Sequence, residues 1–392
     1  MNCHRRDLLL LIPRELLHLI LNLSDVSTMF SLMTLSKKYN QNHIMNSLLR
    51  QKLHPIKTYH HITSIRAVHL DAIENNYVDL FKWFLNKDDV VSRAKDHFYL
   101  EECCKIGNLT VVSYLLENFH EAGYDRSIMF NAKLVATEHG HLEVLKCLYD
   151  KVWMSTDEIG VWGVCEIAAS FGHLDILKYF REIGYSFNDL TCFHAAYKGH
   201  LEVVKYLGRS CWGKNSCEGA AGKGHLEVLK YLHENGCPWN SHTCDSAAEG
   251  GQLEVLKYLH ENGCQWNSHA CTSAARQGHL KILKYLHENG CQCNSHACCT
   301  AAIHGHLKIL KYLHENGCPW NVDACTGAAS HGHLNTFKYL HENGCPCDKQ
   351  KIYDSIEENN CKEYGRKWSL TKTYDSTAVN NRLEILKYLH EN

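Results

Sequence analysis

The stretch GHLEVLKYLHENGCPWN at residues 224–240 sets the reading of this chain, because near-copies of it follow at a constant interval. His225, Gln252, His279, His306 and His333 hold the same place in five successive blocks, and the step between them never varies. Self-similarity at a period of about 20 to 50 residues marks a stacked array, in which each unit buries its apolar face on its neighbours. Such an array lengthens without needing a central core, so a length of 392 residues does not by itself imply several globular domains.

One period runs from Asn240 to Trp266. Asn240 can cap a helix over about residues 241–249, its side-chain oxygen accepting from free backbone amides. Within that helix Cys244, Ala247 and Ala248 fall at i, i+3 and i+4 and form a small apolar face, which lets a neighbouring helix come close. Gly250-Gly251 ends it. A second helix is predicted over about residues 252–262. Its Leu253, Val255, Leu256, Tyr258 and Leu259 make an apolar face wide enough for a neighbour on each side. Glu254, Lys257 and Glu261 form a solvated stripe whose ion pairs contribute about 0.2–0.5 kcal/mol each. Gly263 suits the left-handed cap position, and Trp266 is expected to plug the junction with the next period.

This pattern resembles the ankyrin repeat. The family's AA-x-x-GHLEVVKLLLENGA core is met by Ala247-Ala248 with Gln252 onward, and more closely by Ala301-Ala302 with Gly305-His306-Leu307. Standard ankyrin repeats have about 33 residues, and the period here is shorter. The shortage falls between Trp239-Asn240 and His242, where the family carries the tip of a β-hairpin finger, and the T-P-L-H signature is altered to His242-Thr243-Cys244-Asp245. The resemblance therefore implies an all-α, ankyrin-type helical-repeat solenoid in which a tight turn replaces the finger, similar to short variants abundant in giant DNA viruses of amoebae. Weaker copies precede the regular ones at His200, His173, His141, Asn108 and Asn76. The steps from Asn108 to His141 and from His141 to His173 are longer than the regular one and close to full ankyrin length, so the early repeats are expected to keep fingers. The array is assigned to residues 64–348, with degenerate ankyrin-like repeats over 349–392, giving about twelve repeats in all. In that last part Ile352, Ser355 and Ile356 fit a first helix, Cys361 to Trp368 makes a poor second one, and Leu383 to His390 a clean one. Glu391-Asn392 offers little polar capping, so the last helix is expected to fray or to be covered by a partner.

Residues 8–50 do not share the period. Pro13 suits a first helical turn, and Leu16, Leu19, Ile20 and Leu23 form an i, i+3, i+4, i+7 stripe. With Leu35-Ser36-Lys37 further on, this small helical segment resembles an F-box, the module with pattern LP-x-E-L-L-x-x-I-L-x-x-L…V-S-K; Ile12-Pro13 stands where the family has Leu-Pro. The resemblance implies docking of a Skp-type adaptor of cullin ubiquitin ligases through Pro13, Leu16, Leu17, Ile20 and Leu23. The alternative is a helical cap on the solenoid.

Composition narrows the function classes. With 45% hydrophobic and 21% charged residues the chain is globular rather than disordered. A net charge of −2 supplies no basic field for nucleic acid. The apolar run Leu8 to Ile12 is stopped by Pro13-Arg14-Glu15, too short for a membrane helix or a signal core. The 21 cysteines recur with the period (Cys237, Cys264, Cys291, Cys318, Cys345), so they read as reduced thiols of an intracellular, non-secreted protein, in cytoplasm or nucleus. Cys291-x-Cys293 and Cys345-x-Cys347 invite a zinc reading, but structural zinc wants four converging ligands, and duplication explains the number. No unique nucleophile–base constellation stands out from the copies. No enzyme activity and no cofactor are expected. Trp239, Trp266 and Trp320 lack interleaved basic residues and read as packing rather than a base-stacking platform.

What remains is protein binding. The framework scarcely varies between copies, whereas two sets of first-helix positions do. One is Glu218, Asp245, Thr272, Cys299 and Thr326; the other is Gly222, Glu249, Arg276, Ile303 and Ser330. These are the places where specificity for a target protein could be written, or where solvated residues drift freely.

Overall fold

The structure is a computed structural model and describes residues 73, 96–119, 126–150, 158–365 and 376–391. Among the described residues there are 20 α-helices, a single 3-10 turn and no strand. The F-box-like segment with Pro13, Leu16, Leu17, Ile20 and Leu23, and the copy at Asn76, lie outside the described residues. The chain divides into two compact units, Met1–Val164 and Cys165–Asn392.

In the first unit α1 (Asp96–Ile106) pairs with α2 (Leu109–Phe119), and α3 (Arg126–Glu138) with α4 (Leu142–Asp150). Tyr99, Leu100, Cys103, Val111, Leu115, Ala132, Ala136 and Leu148 form one buried cluster, which Ile73 joins. His141 Nε2 bonds Lys105 O at 3.0 Å, a separation of 36 residues. In the second unit the equivalent histidine bonds span 28 to 30 residues. The longer reach in the first unit matches the longer step from Asn108 to His141, set against the regular period further on.

The second unit is also built of hairpins, and its boundary with the first falls inside the helix Glu158–Phe171. First helices are α5 (Glu158–Phe171), α7 (Asp189–Lys198), α9 (Lys214–Lys223), α11 (Ser241–Glu249), α13 (Ser268–Gln277), α15 (Ser295–Ile303) and α17 (Val322–Ser330). Their second helices are α6 (Leu174–Glu182), α8 (Leu201–Leu207), α10 (Leu226–Glu234), α12 (Leu253–Glu261), α14 (Leu280–Glu288), α16 (Leu307–Glu315) and α18 (Leu334–Glu342). First helix stacks on first helix and second on second. The first-helix layer is the tighter one, because its facing residues are small: Cys244, Ala247 and Ala248 are each 0% exposed. The second helices bury Val255, Leu256 and Leu259 and their equivalents. A nine-residue helix is marginal alone. Each fully buried Leu or Val contributes about 1.5–3 kcal/mol, so the stack, not helix propensity, holds these short elements.

Local signals set the helix ends. Asn240 Oδ1 accepts from His242 N at 2.9 Å, while Asn240 N donates to Thr243 Oγ1 at 3.4 Å, a reciprocal cap. Asn267, Asn294 and Asn321 cap α13, α15 and α17 in the same way through their side-chain oxygens. The α8 helix is cut short at Leu207 by Gly208, which stands where the later copies have His, and a 3-10 turn (Arg209–Cys211) follows.

The decay of pattern after Cys347 resolves into one hairpin. Residues 349–365 form a single helix, α19 (Lys349–Gly365), which packs on α17; α20 (Ser376–Glu391) packs on α18. Cys361 therefore continues the first helix rather than opening a poor second one, and the second helix begins at Ser376, earlier than the clean stretch from Leu383. The joint is polar: Asn359 Nδ2 donates to Ser330 O at 3.2 Å, Asn381 Nδ2 to Gly332 O at 2.9 Å, and Lys349 Nζ to Leu389 O at 2.8 Å.

Candidate protein-binding surface

The surface is built on a repeated junction. At the turn of each hairpin a glycine takes a left-handed conformation (Gly224, Gly278 and Gly305 at φ 81, 85 and 71), and the next residue opens the second helix. The residue one repeat further on lies against this glycine: Gln252 on Gly224, His306 on Gly278 and His333 on Gly305. His279 Nε2 bonds Glu249 O at 3.1 Å, His306 bonds Arg276 O at 3.0 Å, and His333 bonds Ile303 O at 2.9 Å. A carbonyl only accepts, so Nε2 carries the proton. Each bond satisfies a carbonyl near the end of the preceding first helix, a group that the helix cannot satisfy itself. Gln252 departs from the rule: its Nε2 donates to Gly250 O at 2.8 Å, within its own turn. Burial holds the His333 imidazole below its ordinary pKa, partly offset by its bond to Ile303 O.

The thiols form a second ladder inside the stack. Cys264, Cys291 and Cys345 donate to the carbonyls of the cap residues Asn240, Asn267 and Asn321, each at 3.3 Å. Cys244 and Cys271 lie 3.4 and 3.2 Å from Cys264 and Cys291. Burial pushes Cys192 and Cys298 up to about 12 and Cys345 up to about 11, which leaves them protonated and inert. The reading of every cysteine as a free thiol is corrected at one place: Cys325 and Cys347 are joined by a disulfide, with Cα atoms 5.7 Å apart. Cys347 stands where four other repeats have Trp, and its short side chain turns inward to the first helix. Cys293 occupies the same place and reaches to 2.9 Å from Cys271 as a thiol. Among the described residues no group of three or more His, Cys, Asp or Glu is arranged to hold a metal ion, and no helix is long and apolar enough to cross a membrane.

The tryptophans do plug the junctions. Trp239, Trp266 and Trp320 stack on His233, His260 and His314 at 3.6, 4.0 and 3.8 Å, and receive the edges of Tyr258, Tyr285 and Tyr339 from the next repeat.

The stack brings the variable first-helix positions side by side, but gives them different exposure. Thr272 and Thr326 are buried, their hydroxyls donating to Ser268 O and Val322 O one turn back. Cys299 and Ser330 are buried too, and Ser330 Oγ donates to Gly327 O. Variation at these four is expressed in helix packing. Glu218, Gly222 and Ile303 are half-buried; Ile303 fills the space that Gly327 leaves. Asp245 is mostly covered, 3.2 Å from His242 Nδ1, and its pKa is raised by burial. Glu249 and Arg276 are exposed and lie 3.8 Å apart across α11 and α13. They are the members of the two sets that stand in solvent, beside the Gly-His turns.

Sequence reasoning passed over one exchange that was legible. Glu143, Glu202, Glu227 and Glu254 pair with the lysine three residues on, at 2.7–3.0 Å. The same place holds Lys281 and Lys308 in the next two repeats.

One family model agrees with the repeat architecture. A family model for ankyrin repeats (3 copies) matches residues 217–297, 245–324 and 271–354. The crystal structure of the human ASB11 ankyrin repeat domain is similar over 43% of this chain and 96% of that one, at 17% identity and a TM-score of 0.35. No curated protein matches the chain. The hairpins that recur at a fixed period through 217–354 are thus the part of the chain that matches the ankyrin-repeat family model.

Proposed function

We propose that this protein is a non-enzymatic protein-binding scaffold whose array grips a target along the edge carrying the Gly-His turns. One observation carries this reading. Most residues that build the stack recur from copy to copy, while Glu249 and Arg276, which stand in solvent at equivalent depth in adjacent repeats, differ in charge. A uniform frame with differing exposed positions is what recognition of one particular partner surface requires. The test is site-specific photo-cross-linking in the full chain. A cross-linker at position 249 or 276 should trap a discrete partner, whereas one at exposed Glu261, at the far end of α12, should not. Adducts that are absent, or that do not depend on position, refute it.

Within the same proposal, residues 8–50 recruit a Skp-type adaptor of a cullin ubiquitin ligase and the array presents the target. The support is the sequence stripe of Pro13, Leu16, Leu17, Ile20 and Leu23. Full-length protein should co-purify with a Skp-type adaptor, and a Leu16→Glu/Ile20→Glu variant should not. The second reading, a plain scaffold with the N-terminal segment as a cap, draws on the same apolar stripe, since the outer face of a terminal repeat must be covered. It predicts instead that the same variant lowers the melting temperature and that wild type binds no adaptor.

A further inference from the structure

The reversal of charge on two adjacent second helices marks out a patch with its own ligand chemistry. On α10 and α12 the outer face carries Glu227–Lys230 and Glu254–Lys257, ion-paired at 3.0 and 2.8 Å. On α14 and α16 the acidic member is replaced, so Lys281 and Lys284, and Lys308 and Lys311, stand at i, i+3 on neighbouring helices. All four are exposed, and none is in an ion pair among the described residues. Two of the ammonium groups rest near tyrosine rings, Lys284 at 5.3 Å from Tyr312 and Lys311 at 5.2 Å from Tyr339. Like charges at this spacing cost stability rather than add it, so the fold itself gives no reason for the exchange.

The exchange is local. Residues 268–321 carry five cations (Arg276 and the four lysines) against Glu288 and Glu315, a net charge of +3. The repeat before, 241–267, has Lys257 against Asp245, Glu249, Glu254 and Glu261, a net of −3. The repeat after, 322–348, has Lys338 against Asp323, Glu342 and Asp348, a net of −2. The chain as a whole is at −2, so a compact cationic field is set between acidic neighbours.

We infer that this patch docks a short acidic segment of a partner protein, with carboxylates spaced three residues apart; the inference rests on the scaffold reading above and names the chemistry of its partner. Neighbouring packed helices lie about 8–10 Å apart. A peptide in the polyproline II form advances about 3.1 Å per residue with three residues per turn, so carboxylates at i and i+3 lie on one face, span that distance, and meet Lys281 and Lys308, or Lys284 and Lys311, in turn. The patch is only two repeats wide. A nucleic-acid duplex presents a charge every ~1.7 Å and would run on into the flanking acidic repeats. A short acidic stretch matches the patch, and the same flanks repel one that is out of register.

The experiment uses the full chain and a fluorescent synthetic peptide of about twelve residues, proline-rich and with Glu at every third position so that it holds the polyproline II form, measured by anisotropy at low ionic strength. The peptide should bind, its Gln counterpart should not, and added salt should weaken the complex. The Lys281→Glu/Lys308→Glu variant restores the residue that the preceding repeats carry, so it should fold as well as wild type. Its affinity for the peptide should fall at least about tenfold, the sum of several surface ion pairs lost. If its melting temperature drops, Lys281→Gln/Lys308→Gln takes its place with the same expectation. The inference is overturned if wild type does not bind the peptide, if Glu and Gln peptides bind alike, if both variants keep wild-type affinity, or if mixed-sequence DNA or phosphatidylserine vesicles bind more tightly. In any of those cases the scaffold reading is judged separately, by cross-linking from positions 249 and 276.

Discussion

Gly278→Ala tests the junction that repeats along the array, and Gly290→Ala is its internal control. Both glycines have φ of +85°, so adding a Cβ costs each the same left-handed backbone penalty, about 1–2 kcal/mol. Their surroundings differ. A Cβ on Gly278 would lie 2.9 Å from His306 Cε1 and 3.1 Å from Nδ1, whereas one on Gly290 meets nothing within 4 Å. The imidazole must shift in the first case, and its bond to Arg276 O at 3.0 Å weakens with it. A hydrogen bond of this kind contributes about 0.5–1.5 kcal/mol, so Gly278→Ala should cost that much more than Gly290→Ala. His306→Ala removes both the clash and the bond. Combined with Gly278→Ala it should therefore cost less than the sum of the single changes, by about 0.5–1.5 kcal/mol, while its combination with Gly290→Ala should be additive. Urea unfolding followed by Trp fluorescence measures all five variants against wild type, with the slope required to stay constant. Equal costs for the two glycines, or additivity of Gly278→Ala and His306→Ala within about 0.3 kcal/mol, would falsify the junction mechanism.

Three further predictions follow from the same geometry. Gln252→His should supply a side chain able to reach the carbonyl of Gly222, as its equivalents reach theirs 30 residues back, and raise stability by about 0.5–1.5 kcal/mol in the same unfolding assay. His333 has its folded pKa lowered by burial, so between that value and the unfolded value of about 6.5 the unfolded chain binds more protons. Its contribution is complete above about pH 6.5 and is lost as pH falls towards the folded pKa; stability measured from pH 7 to 5 should slope less steeply in His333→Gln than in wild type. Trp266→Ala removes the stack on His260 and the edge contact with Tyr285, and for this half-exposed ring a loss of about 2–3 kcal/mol is expected by chemical denaturation; no loss would show that the tryptophan does not hold the junction.

The repeat unit was legible because its signals are local. Asn240 caps, Gly251 and Gly263 take positive φ, and the two helices fall within a residue or two of where capping and periodicity put them. The recurrence of His225 and its equivalents was legible as position, but not as chemistry: the partner carbonyl lies 28 to 30 residues back, and only the stack brings it within 3.1 Å. The variable positions divided for the same reason. Thr272 and Thr326 read as candidate surface on a lone helix and are covered once first helices pack on each other, while Glu249 and Arg276 stay in solvent. Cys347 reads as another copy of a thiol, and its bond to Cys325 exists because the turn after α18 folds back onto α17.

By itself, the order of residues determined the period, the two helices within it, their caps and the apolar faces that must be covered, because each depends on neighbours a few positions apart. The tertiary structure decided which faces stay uncovered, which carbonyl each histidine satisfies, and that lysines one full period apart stand together on adjacent helices. Those are properties of contact between copies, and a sequence read one repeat at a time does not contain them.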